Sequence, residues 1–157
     1  MNKIIETDVL VIGGGVTGTG IARDLSLRGQ KCILIEKSDL NAGASGGNHG
    51  LLHSGARYVG SDPKAAVECK NELEILKKNA GHCIEDTGGL FVAVKGDDEK
   101  YIADFPGMCK KSGVYCKKID LVLAREMEPV LSNEMIAAYE VNDASINPFK
   151  LSIENMN

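Results

Sequence analysis

Apolar and polar positions divide the first third of the chain into a strand, a helix and a second strand. The run 8–13 is short, β-branched and apolar on both faces, which is typical of an inner strand of a parallel sheet covered by helices. Small and apolar residues then recur at helical spacing over 16–27, and Gly29 follows as a stop signal. A second apolar run, 31–36, predicts a second strand, so we expect a βαβ unit.

The most regular apolar stripe of the chain predicts a long helix over 61–81. Asp62 is suited to cap this helix, and Pro63 is suited to its first turn. Apolar residues then recur at three- and four-residue spacing, at Ala66, Cys69, Leu73, Leu76 and Ala80. We therefore expect this face of the helix to pack against a core.

Shorter patterns predict alternating strands and helices in the second half of the chain. Strands are indicated by three apolar runs, at 88–96, 114–119 and 135–141. One helix is predicted over 97–113, interrupted near Pro106 and Gly107. A short helix follows from Asp120, and Pro129 should end it.

Composition and charge fit a globular protein and argue against a nucleic-acid partner. The 157 residues are 43 % hydrophobic and 25 % charged, with a net charge of -4 and lysine pairs in place of a basic face. No stretch approaches the roughly 20 apolar residues of a membrane-spanning helix. Any membrane association is therefore expected to be peripheral, through a partner.

Cysteine and histidine spacing does not predict a metal site. The five cysteines are scattered without a C-x-x-C pair, so neither zinc nor a disulfide framework is indicated, and a reduced, cytoplasmic setting is the simplest interpretation. His49 and His53 are four residues apart, as helical metal ligands sometimes are. No third ligand is nearby, and Gly50 and Gly55 weaken a helix there, so we expect no metal.

A glycine motif with a defined chemistry joins the first strand to the first helix. Gly13 allows a tight turn, Gly15 lets the backbone approach a pyrophosphate, and Gly18 allows close helix–strand packing. The helix N-terminus then directs N–H groups and a positive dipole at the phosphates. Glu36 ends the second strand, where a carboxylate accepts hydrogen bonds from ribose hydroxyls and repels the 2′-phosphate of NADP. The segment therefore predicts binding of a dinucleotide other than NADP.

A last helix begins close to the end of the sequence. Asn147 is its predicted cap, and Pro148 lies in its first turn. A dinucleotide-binding domain normally adds further parallel strands to its first βαβ unit, and none is indicated before Asn157. We therefore expect the chain to be the N-terminal fragment of a longer protein.

Four stretches of the chain resemble one family of flavoproteins. The sequence 8–37 is similar to the FAD-binding N-terminus of D-amino-acid-oxidase-like flavoproteins, in which FAD extends toward a second glycine-rich segment. "GASGGNHGLLHSGARY" (43–58) resembles that segment in FAD-dependent glycerol-3-phosphate dehydrogenases, specifically the large catalytic subunit of the anaerobic bacterial enzyme. "HCIEDTGGLFVAV" (82–94) and "DASINPFKLSIENM" (143–156) share the resemblance, which extends from about residue 7 to the C-terminus.

The resemblance implies a fold and a cofactor. The fold is α/β: a Rossmann-like (GR2-type) βαβ and second glycine segment in 1–60, with an interleaved α+β substrate domain beginning in 61–157. The cofactor is FAD, for which backbone N–H groups and small side chains of both glycine segments are the expected contacts. These residues are Gly13, Gly14, Gly15, Val16, Thr17, Gly18, Glu36, Lys37, Gly43, Ala44, Ser45, Gly47, Asn48, His49 and Gly50.

The resemblance also implies catalytic residues, because "HSGARY" matches a family pattern beside the flavin ring. Oxidation of a secondary alcohol needs a base for the hydroxyl proton, and His53 is the expected base or substrate-orienting group. Arg57 is suited to a phosphate dianion or to negative charge on the flavin, the alternative being a surface salt bridge. Tyr58 is the third candidate, the alternative being a core aromatic residue with a bonded hydroxyl.

The expected activity is oxidation of sn-glycerol 3-phosphate to dihydroxyacetone phosphate with FAD. If the chain works as the anaerobic enzymes do, electrons pass through partner subunits to quinone, at the cytoplasmic face of the inner membrane. Two alternatives stay open: a 2-hydroxyacid oxidase (2-hydroxyglutarate-like) or amino-acid oxidase, and an FAD-binding fragment without turnover. In the family, further basic residues that bind the substrate phosphate lie later in the chain, and none is assigned here.

Overall fold

The computed structural model describes residues 4–157, which form two compact units. Unit 1 contains the described residues up to Gly50 together with Ile146–Asn157, and unit 2 contains Leu51–Ser145. The sequence suggested a boundary at residue 60 instead. The difference arises because Leu51 and Leu52 pair with Ser145 and Ala144 of unit 2, whereas the last helix packs against the first helix of unit 1.

Eight strands and five helices make up these units. The strands are β1 (Val9–Ile12), β2 (Cys32–Ile35), β3 (Leu51–Leu52), β4 (Ile84–Glu85), β5 (Gly89–Val94), β6 (Cys116–Ile119), β7 (Met135–Val141) and β8 (Ala144–Ile146). The helices are α1 (Val16–Leu27), α2 (Pro63–Ala80), α3 (Glu99–Lys111), α4 (Leu121–Met127) and α5 (Pro148–Met156). Single 3₁₀ turns occur at Ala56–Tyr58 and Gly81–Cys83.

Unit 1 contains the predicted βαβ arrangement. Strands β1 and β2 pair in parallel, from Val9 opposite Cys32 to Ile12 opposite Ile35. Helix α1 connects them, and Gly29 follows it with a φ of +73°, the left-handed conformation that favours glycine. Helix α5 packs against α1 in the same unit.

The first strand is less buried than its sequence predicted. Within residues 4–157, β1 pairs only with β2, so one edge of the strand has no neighbour. Leu10 is 53 % exposed and Ile12 is 79 % exposed. The expectation of a strand covered on both faces was therefore wrong for the described chain, although the parallel pairing was confirmed.

Unit 2 is built around an antiparallel sheet with the strand order β5-β7-β6. The register places Phe91 opposite Tyr139 on one side and Lys118 opposite Tyr139 on the other. Phe105 of α3 packs on this sheet, 5.3 Å from the ring centre of Phe91 and 5.2 Å from that of Tyr139. A second sheet, β3-β8-β4, is formed by strands of two or three residues that the sequence did not predict.

Helix α3 is continuous through Pro106, so the predicted interruption was wrong. Proline lacks the N–H that would bond the carbonyl four residues earlier, which here belongs to Ile102. The hydroxyl of Tyr139, on β7, donates to that Ile102 carbonyl at 2.9 Å. The sheet therefore supplies the hydrogen bond that proline removes from the helix.

The predicted helix starts were confirmed by their caps. Asp62 accepts a hydrogen bond from the Ala65 N–H at 3.0 Å, and Asn147 accepts one from the Lys150 N–H at 3.0 Å. Along α2 the predicted stripe faces inward, with Leu73 only 2 % exposed. No helix within the described residues is both long and apolar enough to cross a membrane.

Candidate functional site

The turn between β1 and α1 brings backbone N–H groups to the carboxyl end of the parallel strands. Gly13 has a φ of +113° and donates its N–H to the Ile35 carbonyl at 2.8 Å. A Cβ on Gly18 would overlap the Gly13 carbonyl oxygen, so only glycine lets α1 start this close to the turn. The first N–H groups of α1 have no intrahelical acceptor, which makes this end of the helix suited to an anion.

Glu36 lies at the end of β2 and is tied to the glycine turn. Its Oε2 accepts from the Gly14 N–H at 2.7 Å, and its Oε1 accepts from the Ser38 N–H at 2.9 Å. These two hydrogen bonds, the Gly14 bond first, hold the pKa of the Glu36 carboxyl below its ordinary value. The side chain is therefore an anionic acceptor at neutral pH, with lone pairs that remain for hydroxyl donors.

The second glycine segment folds back onto the same helix end. Ser45 accepts a hydrogen bond from the Val16 N–H at 3.0 Å, and a Cβ on Gly15 would lie 2.8 Å from the Ser45 oxygen. Asn48 then closes a local turn, donating to the Ser45 carbonyl and accepting from the Gly50 N–H, each at 2.6 Å. The segment is therefore an ordered series of turns.

A buried asparagine that no sequence motif marks holds this segment in place. Asn41 is 3 % exposed and has a φ of +60°. The side-chain Nδ2 of Asn41 donates to the Pro148 backbone carbonyl at 2.9 Å, and its side-chain Oδ1 accepts from the Ser152 hydroxyl at 2.8 Å. A Cβ on Gly46 would overlap the backbone carbonyl oxygen of Asn41. Helix α5 therefore fixes the start of the glycine segment.

Unit 1 offers donors and acceptors that fit a dinucleotide. The N–H groups of Gly13, Gly14 and Val16 already bond Ile35, Glu36 and Ser45. The remaining N–H groups of the turn and of the first turn of α1 are the donors for phosphate oxygens, and the Glu36 carboxylate accepts from hydroxyls. A groove of about 370 Å³ runs along the ends of β1 and β2, lined by Ile12, Gly13, Ile35, Glu36 and Lys37. Apolar walls beside a carboxylate suit the adenosine half of such a cofactor.

A histidine–carboxylate pair lies in unit 2. His53 Nδ1 is 3.3 Å from Asp143 Oδ2, and the two side chains are 18 % and 9 % exposed. The other carboxylate oxygen of Asp143 accepts from the Ser54 N–H at 2.7 Å and from the Ser54 hydroxyl at 2.6 Å. Asp143 and Ser54 were not predicted as site residues, because Asp143 lies 90 residues from His53 and no local motif marks the pairing.

The other two catalytic candidates lie one turn further along unit 2. Gly55 has a φ of +96°, and a Cβ there would overlap the Ala66 carbonyl oxygen, so the turn packs directly on α2. Arg57 is exposed and takes part in none of the ion pairs found in residues 4–157. Tyr58 packs on the core, with its ring edge-on to His53 at a centroid distance of 6.4 Å.

The predicted site residues divide between the two units. All predicted cofactor contacts, from Gly13 to Gly50, lie in unit 1, whereas His53, Arg57 and Tyr58 lie in unit 2. His49 is exposed at the end of the glycine segment. No group of three or more metal-ligating side chains is placed to hold a metal within the described part of the chain.

Unit 1 combines a parallel βαβ unit, a glycine turn before its helix and a carboxylate at the end of its second strand. This combination defines a dinucleotide-binding protein. The chain belongs to the FAD dependent oxidoreductase family, whose model matches residues 8–157. FAD is the cofactor of this family, and the α/β flavoprotein fold expected from the sequence is confirmed.

Two similar proteins are the same component of one enzyme in different bacteria. The A subunit of anaerobic glycerol-3-phosphate dehydrogenase from Haemophilus influenzae is 49 % identical over 97 % of this chain. Its counterpart from Escherichia coli K12 is 47 % identical over 96 % of the chain. The chain spans 27 % and 28 % of the lengths of these relatives.

Solved structures share the fold. L-proline dehydrogenase from P. horikoshii matches 96 % of this chain and 40 % of its own with a TM-score of 0.80 at 26 % identity. L-alpha-glycerophosphate oxidase from Mycoplasma pneumoniae, solved with FAD bound, matches 96 % of this chain and 41 % of its own with a TM-score of 0.77 at 21 % identity. The second likeness shows the fold alone.

Proposed function

We propose that the protein containing this chain oxidises sn-glycerol 3-phosphate to dihydroxyacetone phosphate with FAD. The observation that carries the proposal is the identity of 47–49 % to the A subunits of two anaerobic glycerol-3-phosphate dehydrogenases across 96–97 % of the chain. This region contains both the dinucleotide turn and the His53–Asp143 pair. FAD, when bound, supplies the acceptor for the hydride that leaves C2 of the substrate.

His53 is proposed as the base of this oxidation. As the C2–H bond breaks and its electron pair leaves with the hydride, the hydroxyl proton must also leave so that the C–O bond becomes a carbonyl. An imidazole whose Nδ1–H faces the Asp143 carboxylate carries its lone pair on Nε2, which accepts that proton. The positive imidazolium that results is stabilised by the buried carboxylate.

Arg57 and Tyr58 are proposed to bind anionic groups next to this chemistry. A guanidinium binds a phosphate dianion through parallel N–H donors, and Arg57 is exposed and not engaged in the ion pairs of the described residues. The Tyr58 hydroxyl is an additional donor on a ring held by the core. Substrate phosphate is the expected ligand of Arg57.

The proposed FAD contacts are the predicted residues of unit 1. The Gly13–Gly18 turn would hold the pyrophosphate, with Glu36 accepting from ribose hydroxyls and Lys37 at the edge of the same groove. The segment from Gly43 through Ala44, Ser45, Gly47, Asn48, His49 and Gly50 would contribute N–H groups and small polar side chains. Ser45 already bonds the first turn of α1, which supports a shared site for both glycine segments.

The protein is further proposed to work in a complex. The similar proteins are named as one component of a larger enzyme, which supports partner subunits for this chain as well. In this proposal the partners pass electrons to quinone, and they hold the protein at the cytoplasmic face of the membrane. Co-purification of a tagged, full-length protein from membranes, lost on removal of the partner genes, tests this arrangement.

Steady-state kinetics of the full-length protein test the reaction. With an artificial electron acceptor, sn-glycerol 3-phosphate should give a kcat/KM at least tenfold above those of 2-hydroxyglutarate, glycine and proline. Replacing His53 by Asn should lower kcat by about 10²–10⁴-fold, the usual contribution of a general base. The matched control is His82→Asn, on an exposed 3₁₀ turn, which should leave kcat unchanged. A preference for a hydroxyacid or an amino acid would refute the proposed substrate.

FAD binding is tested separately from turnover. The purified chain of 157 residues, incubated with FAD and desalted, should retain a flavin absorption band if unit 1 holds the cofactor unaided. Replacing Gly15 by Val should abolish retention, because the new side chain would collide with Ser45. A full-length protein that stays colourless would contradict the flavin assignment itself.

A further inference from the structure

We propose that Asp143 is a positioning residue that fixes the tautomer and ring orientation of His53. An ionised carboxylate only accepts hydrogen bonds, so the contact of 3.3 Å requires the proton on His53 Nδ1. The lone pair is then on Nε2, the nitrogen that a base would use. This inference rests on the proposed function, in which His53 accepts the hydroxyl proton.

The carboxylate is itself held in one orientation. One oxygen accepts both the N–H and the hydroxyl of Ser54, at 2.7 and 2.6 Å, which leaves the other oxygen directed at His53. Asp143 is 8 % exposed and Ser54 is 3 % exposed. Buried polar groups with all their partners in place form a rigid arrangement, since any other orientation would leave one of them unsatisfied.

The backbone brings these residues together through two short strands. In the β3–β8 ladder Leu52 lies opposite Ala144, so the next pair outward is His53 and Asp143. Gly89 of β5 faces the same place, and a Cβ there would lie 3.0 Å from the Asp143 Cβ. The absence of a side chain at Gly89 makes room for the carboxylate. Strand pairing, and no sequence motif, therefore sets the His53–Asp143 distance.

A purely structural role for Asp143 makes a different prediction. If the carboxylate served only to satisfy Ser54, then Asp143→Asn, whose amide oxygen still accepts from Ser54, would leave His53 unaffected. If Asp143 positions His53, the new amide nitrogen donates to His53 Nδ1 and moves the imidazole proton to Nε2. Nitrogen chemical shifts of histidine distinguish the two tautomers directly.

The test is ¹⁵N NMR of the full-length protein labelled at histidine, recorded with the histidines in their neutral form. Signals of His53 are assigned by their loss in His53→Asn. The wild-type protein should carry the Nδ1–H tautomer, Asp143→Asn the Nε2–H tautomer, and the control Ser54→Ala the wild-type tautomer. A wild-type Nε2–H tautomer would overturn the inference even if Asp143→Asn failed to fold.

Kinetics separate this inference from the proposed function. In the active enzyme Asp143→Asn should lower kcat by about 10²–10⁴-fold, as loss of the base does, because Nε2 then carries the proton. The change in KM should stay below about threefold, since the substrate contacts are kept. A tautomer change in an enzyme that does not oxidise sn-glycerol 3-phosphate would refute the substrate and leave the positioning role intact. Oxidation of that substrate at an undiminished rate by Asp143→Asn, with the Nδ1–H tautomer kept, would refute the positioning role alone. An undiminished rate with the Nε2–H tautomer would instead refute His53 as the base.

Discussion

Removing the Tyr139 hydroxyl, on β7, should destabilise helix α3, because that hydroxyl replaces a hydrogen bond that Pro106 removes from the helix. Pro106 leaves the Ile102 carbonyl without its helical donor, and the Tyr139 hydroxyl bonds that carbonyl at 2.9 Å. Tyr139→Phe keeps the ring, which packs at 5.2 Å from Phe105, and removes only the donor. The substitution therefore isolates one hydrogen bond.

The expected loss is about 1–2 kcal/mol of the free energy of unfolding. The hydrogen bond is partly buried, between Tyr139, which is 5 % exposed, and Ile102, which is half-buried. Because an unsatisfied buried acceptor costs about 1–3 kcal/mol, a partly buried one should cost an amount in the lower part of that range. With a urea dependence of about 2 kcal/mol per molar, the midpoint should fall by about 0.5–1 M. Tyrosine emission reports this unfolding, because the chain has no Trp and its four tyrosines lie in unit 2.

A double-mutant cycle with Pro106→Ala tests the cause. Alanine restores an N–H that donates to the Ile102 carbonyl within the helix, so the Tyr139 hydroxyl becomes partly redundant. Tyr139→Phe should then cost less than half as much in the Pro106→Ala background as in the wild type. Equal costs in both backgrounds would show that the hydroxyl does not compensate for the proline, and the explanation of the continuous helix would fail.

Three further outcomes follow from the geometry and the pKa shifts. Gly18→Ala should destabilise unit 1 by about 1–3 kcal/mol, because its Cβ would overlap a backbone carbonyl. The control Gly20→Ala, whose Cβ would have no atom within 4 Å, should be neutral or stabilising. Thermal denaturation compares the two variants. Burial raises the pKa of the Cys109 thiol from 9.0 to about 12, and burial also raises the pKa of Tyr139. Above about pH 9 the unfolded chain loses these protons while the folded chain keeps them, so the free energy of unfolding should fall as pH rises. This fall should be less steep in Cys109→Ala. The lowered pKa of Glu36 adds stability that is lost as pH falls through the folded-state value, and Glu36→Gln should flatten this acid limb in denaturation curves.

Helices with explicit end signals could be predicted from the sequence. Asp62 with Pro63, and Asn147 with Pro148, mark their helix starts by side-chain chemistry that acts within four residues. The β3-β8-β4 sheet could not be predicted, because strands of two or three residues are too short to show a period of two. Pro106 led to a wrong prediction because its compensation comes from another element of the fold.

The candidate site was predictable only where its chemistry is local. The glycine turn and Glu36 belong to one βαβ unit, so spacing alone identifies them. Asp143 belongs to the site through the register of β3 and β8, whose next position beyond Leu52 and Ala144 brings together His53 and Asp143, 90 residues apart. No spacing rule applies at that separation, and an aspartate just after a strand is otherwise an ordinary turn residue.

The glycine-rich segment owes its shape to residues outside it. Asn41, in a left-handed conformation before the segment, is anchored by Pro148 and Ser152, which lie more than a hundred residues later. Glycines give the backbone room but do not choose one path through it, since each glycine adds accessible conformations. The buried amide makes that choice, because any other path would leave its donor or its acceptor unsatisfied. The cofactor contacts proposed for residues 43–50 therefore depend on α5 as directly as on the glycines themselves.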